Sequence, residues 1–152
     1  MKEAMMRNSD KLRMGMKIRE LRERRGMTQK DLAKAASLGE SALRSYELGA
    51  RYPKEKHLES LAKALKVRPE AFEVYGVEDE LQFIHMLFNF EQSFKLEPNR
   101  EGFPGLRVYG YGMVPKALMD WGRKLAQFEK GEISREEYED WKDTYNPTMR
   151  KG

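Results

Sequence analysis

Residues 26–49 read GMTQKDLAKAASLGESALRSYELG, and the order of helix signals within this stretch decides the fold. Thr28-x-x-Asp31 has the form of a capping box, in which a hydroxyl accepts from an amide of the first turn and the acid returns to the capping residue. A helix therefore starts at Thr28, with Leu32, Ala35 and Ala36 on its inner face. Ser37-Leu38-Gly39 is too short and too turn-like to be anything but a corner. A further helix follows from about Glu40 to Leu48, with Leu43 and Tyr46 directed inward. Gly49 suits the position just past its end.

Working outward, a helix runs from a cap at Ser9 or Asp10 to about Arg25. Met14, Ile18 and Leu21 form its inner stripe, and Gly26 stops it. Residues 1–9 lack periodicity and read as a flexible N-terminal arm. After the break at Arg51-Tyr52-Pro53, Leu58, Leu61, Ala62 and Leu65 mark a helix from about Glu55 to Lys66. Pro69 opens a fifth short helix through Phe72, and Tyr75-Gly76 closes an all-α domain over residues 10–75.

Residues 76–152 have another character. A helix from Glu78 to about Gln92 carries Leu81, Phe83, Ile84, Met86, Leu87, Phe88 and Phe90, apolar on more than one side. Such a helix has to be covered on two sides. Phe94 and Leu96, the turn EPNREGFPG and the β-favouring stretch from Leu106 to Tyr111 predict a small hairpin. Pro115 opens a helix with Leu118, Trp121, Leu125 and Phe128, ended by Gly131. Ser134-x-x-Glu137 is a second capping box, and Tyr138, Trp141 and Tyr145 share one face of the last helix. A basic tail begins at Pro147. The fold class expected is mainly α: a five-helix domain, then a small α+β domain of helix, β-hairpin and two helices.

Charge divides along the same line. The chain holds 152 residues at net +4. Residues 1–75 carry 18 Lys/Arg against 11 Asp/Glu, a net +7, and residues 76–152 carry 11 against 14, a net −3. One half suits a polyanion and the other does not. There is no cysteine, which removes disulfides, thiolate metal sites and a cysteine nucleophile. No apolar run is long enough to span a bilayer, and the N-terminus lacks a signal-peptide core. The expectation is a cytoplasmic protein away from the membrane.

Short helices joined by tight turns are the pattern of a helix-turn-helix, in which one helix crosses the phosphates and the next enters the major groove. Residues 14–67 resemble the Cro/C1-type (XRE) helix-turn-helix family. The resemblance is carried by Ile18-Arg-Glu-Leu-Arg22, Gly26-Met-Thr-Gln29, Asp31-Leu-Ala33, Leu43, Tyr46-Glu-Leu-Gly49, Pro53 and Leu61-Ala-Lys-Ala-Leu65-Lys-Val67, without a gap in spacing. It implies a lambda-repressor-like DNA-binding domain and a transcriptional regulator, a repressor reading double-stranded DNA with helix 40–48. By the same resemblance, Thr28 and Gln29 meet the backbone and Gln29 braces the recognition helix. Glu40, Ser41, Arg44 and Ser45 face the groove, Lys54 meets phosphate, and Arg22 with Glu47 bridges the first and third helices. Arg51 and Lys56 add phosphate attraction that salt weakens.

Side-chain chemistry agrees at Arg44, which has the donors for guanine O6 and N7, and at Glu40, which accepts from a cytosine amino group. Three positions depart from the family pattern. Gly39 replaces a frequent Ser or Thr cap, Ser37 replaces a frequent glycine, and Glu40 puts an acid beside phosphate.

The second half is expected to form a homodimer through residues 76–152, either through the apolar helix or with that helix covered inside the domain. Alternatives are an antitoxin whose C-terminal half binds a protein toxin, and a ligand- or protein-binding module without DNA affinity. Tyr109, Tyr111, Trp121, Trp141 and Tyr145 are candidates for a small-effector pocket, although aromatics at such spacing are more often core. His57 and His85 have no companion ligand for a metal. Gly110-x-Gly112 belongs to a turn, and the acidic run Glu132–Asp143 reads as a solvated face. No catalytic constellation and no cofactor motif is present, so no enzyme is expected.

Overall fold

A computed structural model describes residues 8–72 and 80–147. Among these the helices are α1 (Asn8–Arg24), α2 (Gln29–Ala35), α3 (Glu40–Glu47), α4 (Glu55–Leu65), α5 (Glu80–Phe94), α6 (Met113–Glu129) and α7 (Arg135–Thr144), with strands β1 (Leu96–Pro98) and β2 (Leu106–Val108). The chain divides into two compact units. The first holds residues 1–76 with 139–145, the second 77–138 with 146–152.

The first unit forms around α1–α4. Thr28 caps α2: its hydroxyl accepts from the Asp31 amide at 3.1 Å, and the Asp31 carboxylate accepts from the Thr28 amide at 3.0 Å. The Asp31 carboxylate also accepts from the Thr28 hydroxyl at 2.6 Å, and this bond first, then that from the Thr28 amide, holds the Asp31 carboxyl below its ordinary range. The cap therefore contributes above that range and is lost as pH falls through it. The core gathers Met14, Ile18 and Leu21 of α1, Leu32, Ala33 and Ala36 of α2, Leu43 and Tyr46 of α3, Leu61, Ala62 and Leu65 of α4, and Phe72. Burying each of the larger of these side chains is worth about 1.5–3 kcal/mol.

Four details differ from the sequence expectation. Asn8, Ser9 and Asp10 are already helical, so neither Ser9 nor Asp10 is a cap, and the arm expected over 1–9 lies outside the described residues except for its last two. Ala33 faces the core while Ala35 is exposed, because α2 packs against both α3 and α4. The expected fifth helix is a single 3-10 turn, Pro69–Phe72; Lys66 closes α4 in a left-handed conformation, φ 56°. Residues 139–145 group with this first unit, which chain order alone does not indicate. The expected close at Tyr75-Gly76 and the tail beyond residue 147 lie outside the described residues.

The approach of α1 to α3 rests on two glycines. A methyl group at Gly15 would sit 2.8 Å from the Glu47 carbonyl oxygen and closer still to that of Tyr46. Gly49, at φ 68°, leaves α3 in a conformation that disfavours side chains, and its Cα faces the Leu12 backbone so closely that a Cβ would come within 2.8 Å of it.

The end of α7 is held to the first unit by charge. Asp143 accepts from Lys17 Nζ at 2.9 Å and from Arg24, its carbonyl accepts from the Arg68 amide at 3.0 Å, and Asp140 pairs with Arg25. Asp143 is buried. The acidic run is thus not a solvated face at its C-terminal end, because Lys17 and Arg24 of α1 and Arg25 just beyond it pair with its last two aspartates.

The second unit contains α5, the hairpin, α6 and the start of α7. Leu96 pairs with Val108, Glu97 with Arg107 and Pro98 with Leu106, antiparallel. The second strand is shorter than expected, ending at Val108. Ser134 and Glu137 form the second capping box, with amide-to-side-chain distances of 2.7 and 3.1 Å. No residue of α5 or α6 is buried, so α5 is not the covered central helix that one sequence reading allowed.

Gly15→Ala is expected to destabilise the first unit by about 1–3 kcal/mol by forcing α1 off α3. Thermal or urea unfolding of the full chain measures it, and unchanged stability would contradict the close packing described.

Candidate nucleic-acid interface

The candidate site lies on α3 and the segments flanking it. Helix α3 has eight residues, too few to be stable alone, so its position comes from its inner side. Leu43 and Tyr46 enter the core, and Glu47 is buried at 8% exposure. The Glu47 carboxylate accepts from Arg22 Nε at 2.6 Å, from Arg22 Nη2 at 3.0 Å and from the Gln29 amide nitrogen at 2.8 Å. Arg22 also donates to the Met27 carbonyl at 2.9 Å. The hydrogen bond to Glu47 chiefly raises the Arg22 pKa above its ordinary value, so the guanidinium stays charged. One carboxylate thereby joins α1, α2 and α3. Tyr46 Oη and His57 Nδ1 lie 2.7 Å apart, which links α3 to α4.

The outer side of α3 is bare. Glu40, Ser41 and Arg44 are exposed, and Ser45 is half-buried, its hydroxyl donating to the Ser41 carbonyl at 2.9 Å. The Ser45 carbonyl in turn accepts from the amides of Ala50 and Arg51 and shapes the turn after α3. Arg51 is exposed in that turn, Lys54 is the exposed N-cap of α4, and Lys56 is exposed on its first turn. Thr28 sits at the α2 N-cap, with its hydroxyl committed to Asp31.

The structure thus brings Arg22, Gln29 and Glu47 into one network. It leaves Glu40, Ser41, Arg44, Arg51, Lys54 and Lys56 on the surface. Sequence reasoning did not find the Tyr46–His57 contact or the role of Gly15. A lone histidine carries no spacing signal, although a glycine inside a helical stripe facing the third helix was one.

Among the described residues, no cluster of three or more His, Asp or Glu is placed to hold a metal ion, and no helix is long and apolar enough to cross a membrane. His85 is exposed on α5, its ring edge-on to Phe88 at 5.6 Å. Of the five aromatics considered for an effector pocket, Tyr109 and Tyr111 are exposed, and Trp121 donates to Tyr138 Oη at 2.6 Å. Trp141 and Tyr145 belong to the first unit, rings 4.9 Å apart. An open depression of about 660 Å³ does occur in the second unit, lined by residues 110–112, Pro115, Lys116, Met119, Asp120 and Arg123, with Tyr111 its one aromatic. Its acid, Asp120, is already paired with Lys116 and Arg123.

Glu47→Ala is expected to cost about 3 kcal/mol of stability by stranding Arg22 and freeing Gln29. Arg22→Met with Glu47→Leu together should cost less than Glu47→Ala alone, because no buried charge is left unpaired. Denaturant unfolding of the three proteins tests this. A double variant no better than Glu47→Ala would mean that packing, not charge, holds α3.

The family match agrees with this helix-turn-helix geometry. No curated protein matches the chain. Residues 18–72 match the family described as "Helix-turn-helix". Among solved structures, the restriction-modification controller protein C.AhdI from Aeromonas hydrophila is 31% identical, the match covering 43% of this chain and 98% of that one with a TM-score of 0.42. A tyrosine-to-alanine mutant of the restriction-modification controller protein C.Esp1396I is 26% identical, covering 55% of this chain and 95% of that one, with a TM-score of 0.37. Through its segment 18–72 the chain belongs to the Cro/C1 (XRE) type of helix-turn-helix proteins, which are DNA-binding regulators of transcription rather than enzymes.

Proposed function

We propose that the chain is a cytoplasmic, sequence-specific regulator that binds double-stranded DNA as a homodimer, inserts α3 into the major groove and represses by occluding a promoter. The observation that carries this reading is the contrast between the two sides of α3. Its inner side is locked by Leu43, Tyr46 and the Arg22–Glu47–Gln29 network, while Glu40, Ser41 and Arg44 stand in solvent. A rigid helix with a bare polar side is what direct reading of base edges requires.

In this reading Arg44 donates to guanine O6 and N7. Ser41 and Ser45 allow close approach; the Ser45 proton is held by the Ser41 carbonyl, so that hydroxyl reads by size or as an acceptor. Glu40 accepts from a cytosine amino group and disfavours bases that offer only acceptors there. Arg51, Lys54 and Lys56 hold phosphates, and Thr28 and Gln29 approach the backbone from the start of α2. Half-sites spaced by one helical turn, roughly 34 Å, then call for two copies of the first unit on one face of the duplex.

Selection from a random duplex pool, with mass measurement of the bound species, tests the reading; recovery of no common sequence would refute it. Arg44→Ala is expected to relax preference at one base pair and to weaken specific binding by about 1–3 kcal/mol. Lys54→Ala should weaken all duplexes alike and reduce the slope of log affinity against log salt by about one. A reporter placed behind the selected sequence should fall in expression when the protein is supplied; a rise would make it an activator.

A further inference from the structure

Tyr46 and His57 meet where α3 passes α4. Tyr46 Oη lies 2.7 Å from His57 Nδ1, and the two rings are tilted at 48° with centroids 6.0 Å apart. Tyr46 is buried, and its hydroxyl has no other partner among the described residues. A buried hydroxyl proton has to be given to an acceptor, and Nδ1 is the acceptor within reach. Tyr46 therefore donates, which leaves the ring proton of the neutral imidazole on Nε2. That nitrogen has no partner among the described residues, and the half-buried ring does not seal it in the core.

The free N–H stands in a basic setting. His57 follows Lys54 by three positions, so the two share one side of the first turn of α4. Glu55 and Glu59 fall on the side opposite His57 by the helical period. Arg51 and Lys56 are exposed in the same stretch. We infer that His57 is a further DNA-contacting residue, which donates from Nε2 to a phosphate oxygen beside Lys54 while Tyr46 holds its tautomer and orientation. The inference rests on the DNA-binding reading above and deepens it: one imidazole joins the helix that reads bases to the helix that holds phosphate. Phosphate contacts set the register in which base edges are read. The link therefore bears on selectivity as well as affinity, and Tyr46 acts in it as a positioning residue.

Long-range proton–nitrogen NMR of the full chain in mildly alkaline buffer reads the tautomer directly, because the chain has only two histidines, His57 and His85. The His57 pattern should be that of Nε2–H. Tyr46→Phe keeps the ring but removes the hydroxyl, and should turn the pattern into a mixture of both tautomers. Adding the duplex recovered by selection should move the His57 Nε2 signal. His57→Asn keeps an acceptor where Nδ1 stood and loses the outer donor. It should weaken the selected duplex and an unrelated one of equal length alike, by about tenfold, the size of one hydrogen bond to a charged group. The slope of log affinity against log salt should not change, because a neutral donor displaces no counterion. Tyr46→Phe and His57→Phe break the link and should lower the preference for the selected duplex several-fold. Should either variant fail to fold, the wild-type spectra and His57→Asn still decide. An Nδ1–H pattern in the wild-type chain, a His57 signal that ignores the selected duplex, or His57→Asn binding as tightly as wild type would each overturn the inference and leave the DNA reading standing. A wild-type chain that selects no duplex would remove both.

Discussion

The buried carboxylate of Glu47 is the constraint on which the first unit turns. Taking a carboxylate out of water costs several kcal/mol unless partners replace the lost solvent. Here two guanidinium nitrogens of Arg22 and the Gln29 amide replace it. Because these donors come from different helices, the carboxylate is satisfied only when α1, α2 and α3 stand in one arrangement. A short helix with little intrinsic stability thus acquires a single orientation. The same charge that is costly to bury is what makes a shifted α3 unfavourable.

Close packing of α1 against α3 reinforces that arrangement. Gly15 lets the backbone of α1 approach the carbonyls of Tyr46 and Glu47, and Gly49 turns the chain away beside Leu12. These contacts leave no slack for α3 to slide along α1. Rigidity on the inner side and an unencumbered outer side come from the same few residues.

Charge is redistributed by folding. The net +7 of residues 1–75 suggests a diffuse positive surface, but Lys17, Arg24 and Arg25 are taken up by Asp140 and Asp143, and Arg22 by Glu47. Arg44, Arg51, Lys54 and Lys56 remain exposed and enter none of the ion pairs among the described residues. Those four lie on α3, the turn after it and the start of α4; Arg13, Lys30, Lys34, Lys63 and Lys66 are exposed outside those ion pairs elsewhere on the first unit. The end of α7 joins the first unit by capturing charges from the far side of α1, which leaves the corner free.

By itself, the sequence determined what is local. Caps at Thr28 and Ser134, the corner at Ser37–Gly39, the stripes of α1 and α4 and the stop at Gly49 all follow from hydrogen-bonding groups and periodicities within a few residues of each other. So does the family resemblance, which is a pattern of such spacings. Tertiary structure alone decided what depends on distant partners. Asp143 meets Arg24 across 119 positions, and no period links them. Ala33 rather than Ala35 turns inward because α2 must serve two neighbouring helices at once. Gly15 is required only once α3 lies against it. A stripe shows that a helix face seeks cover but not what provides it: the same apolar pattern that closes the core of the first unit leaves α5 open in the second.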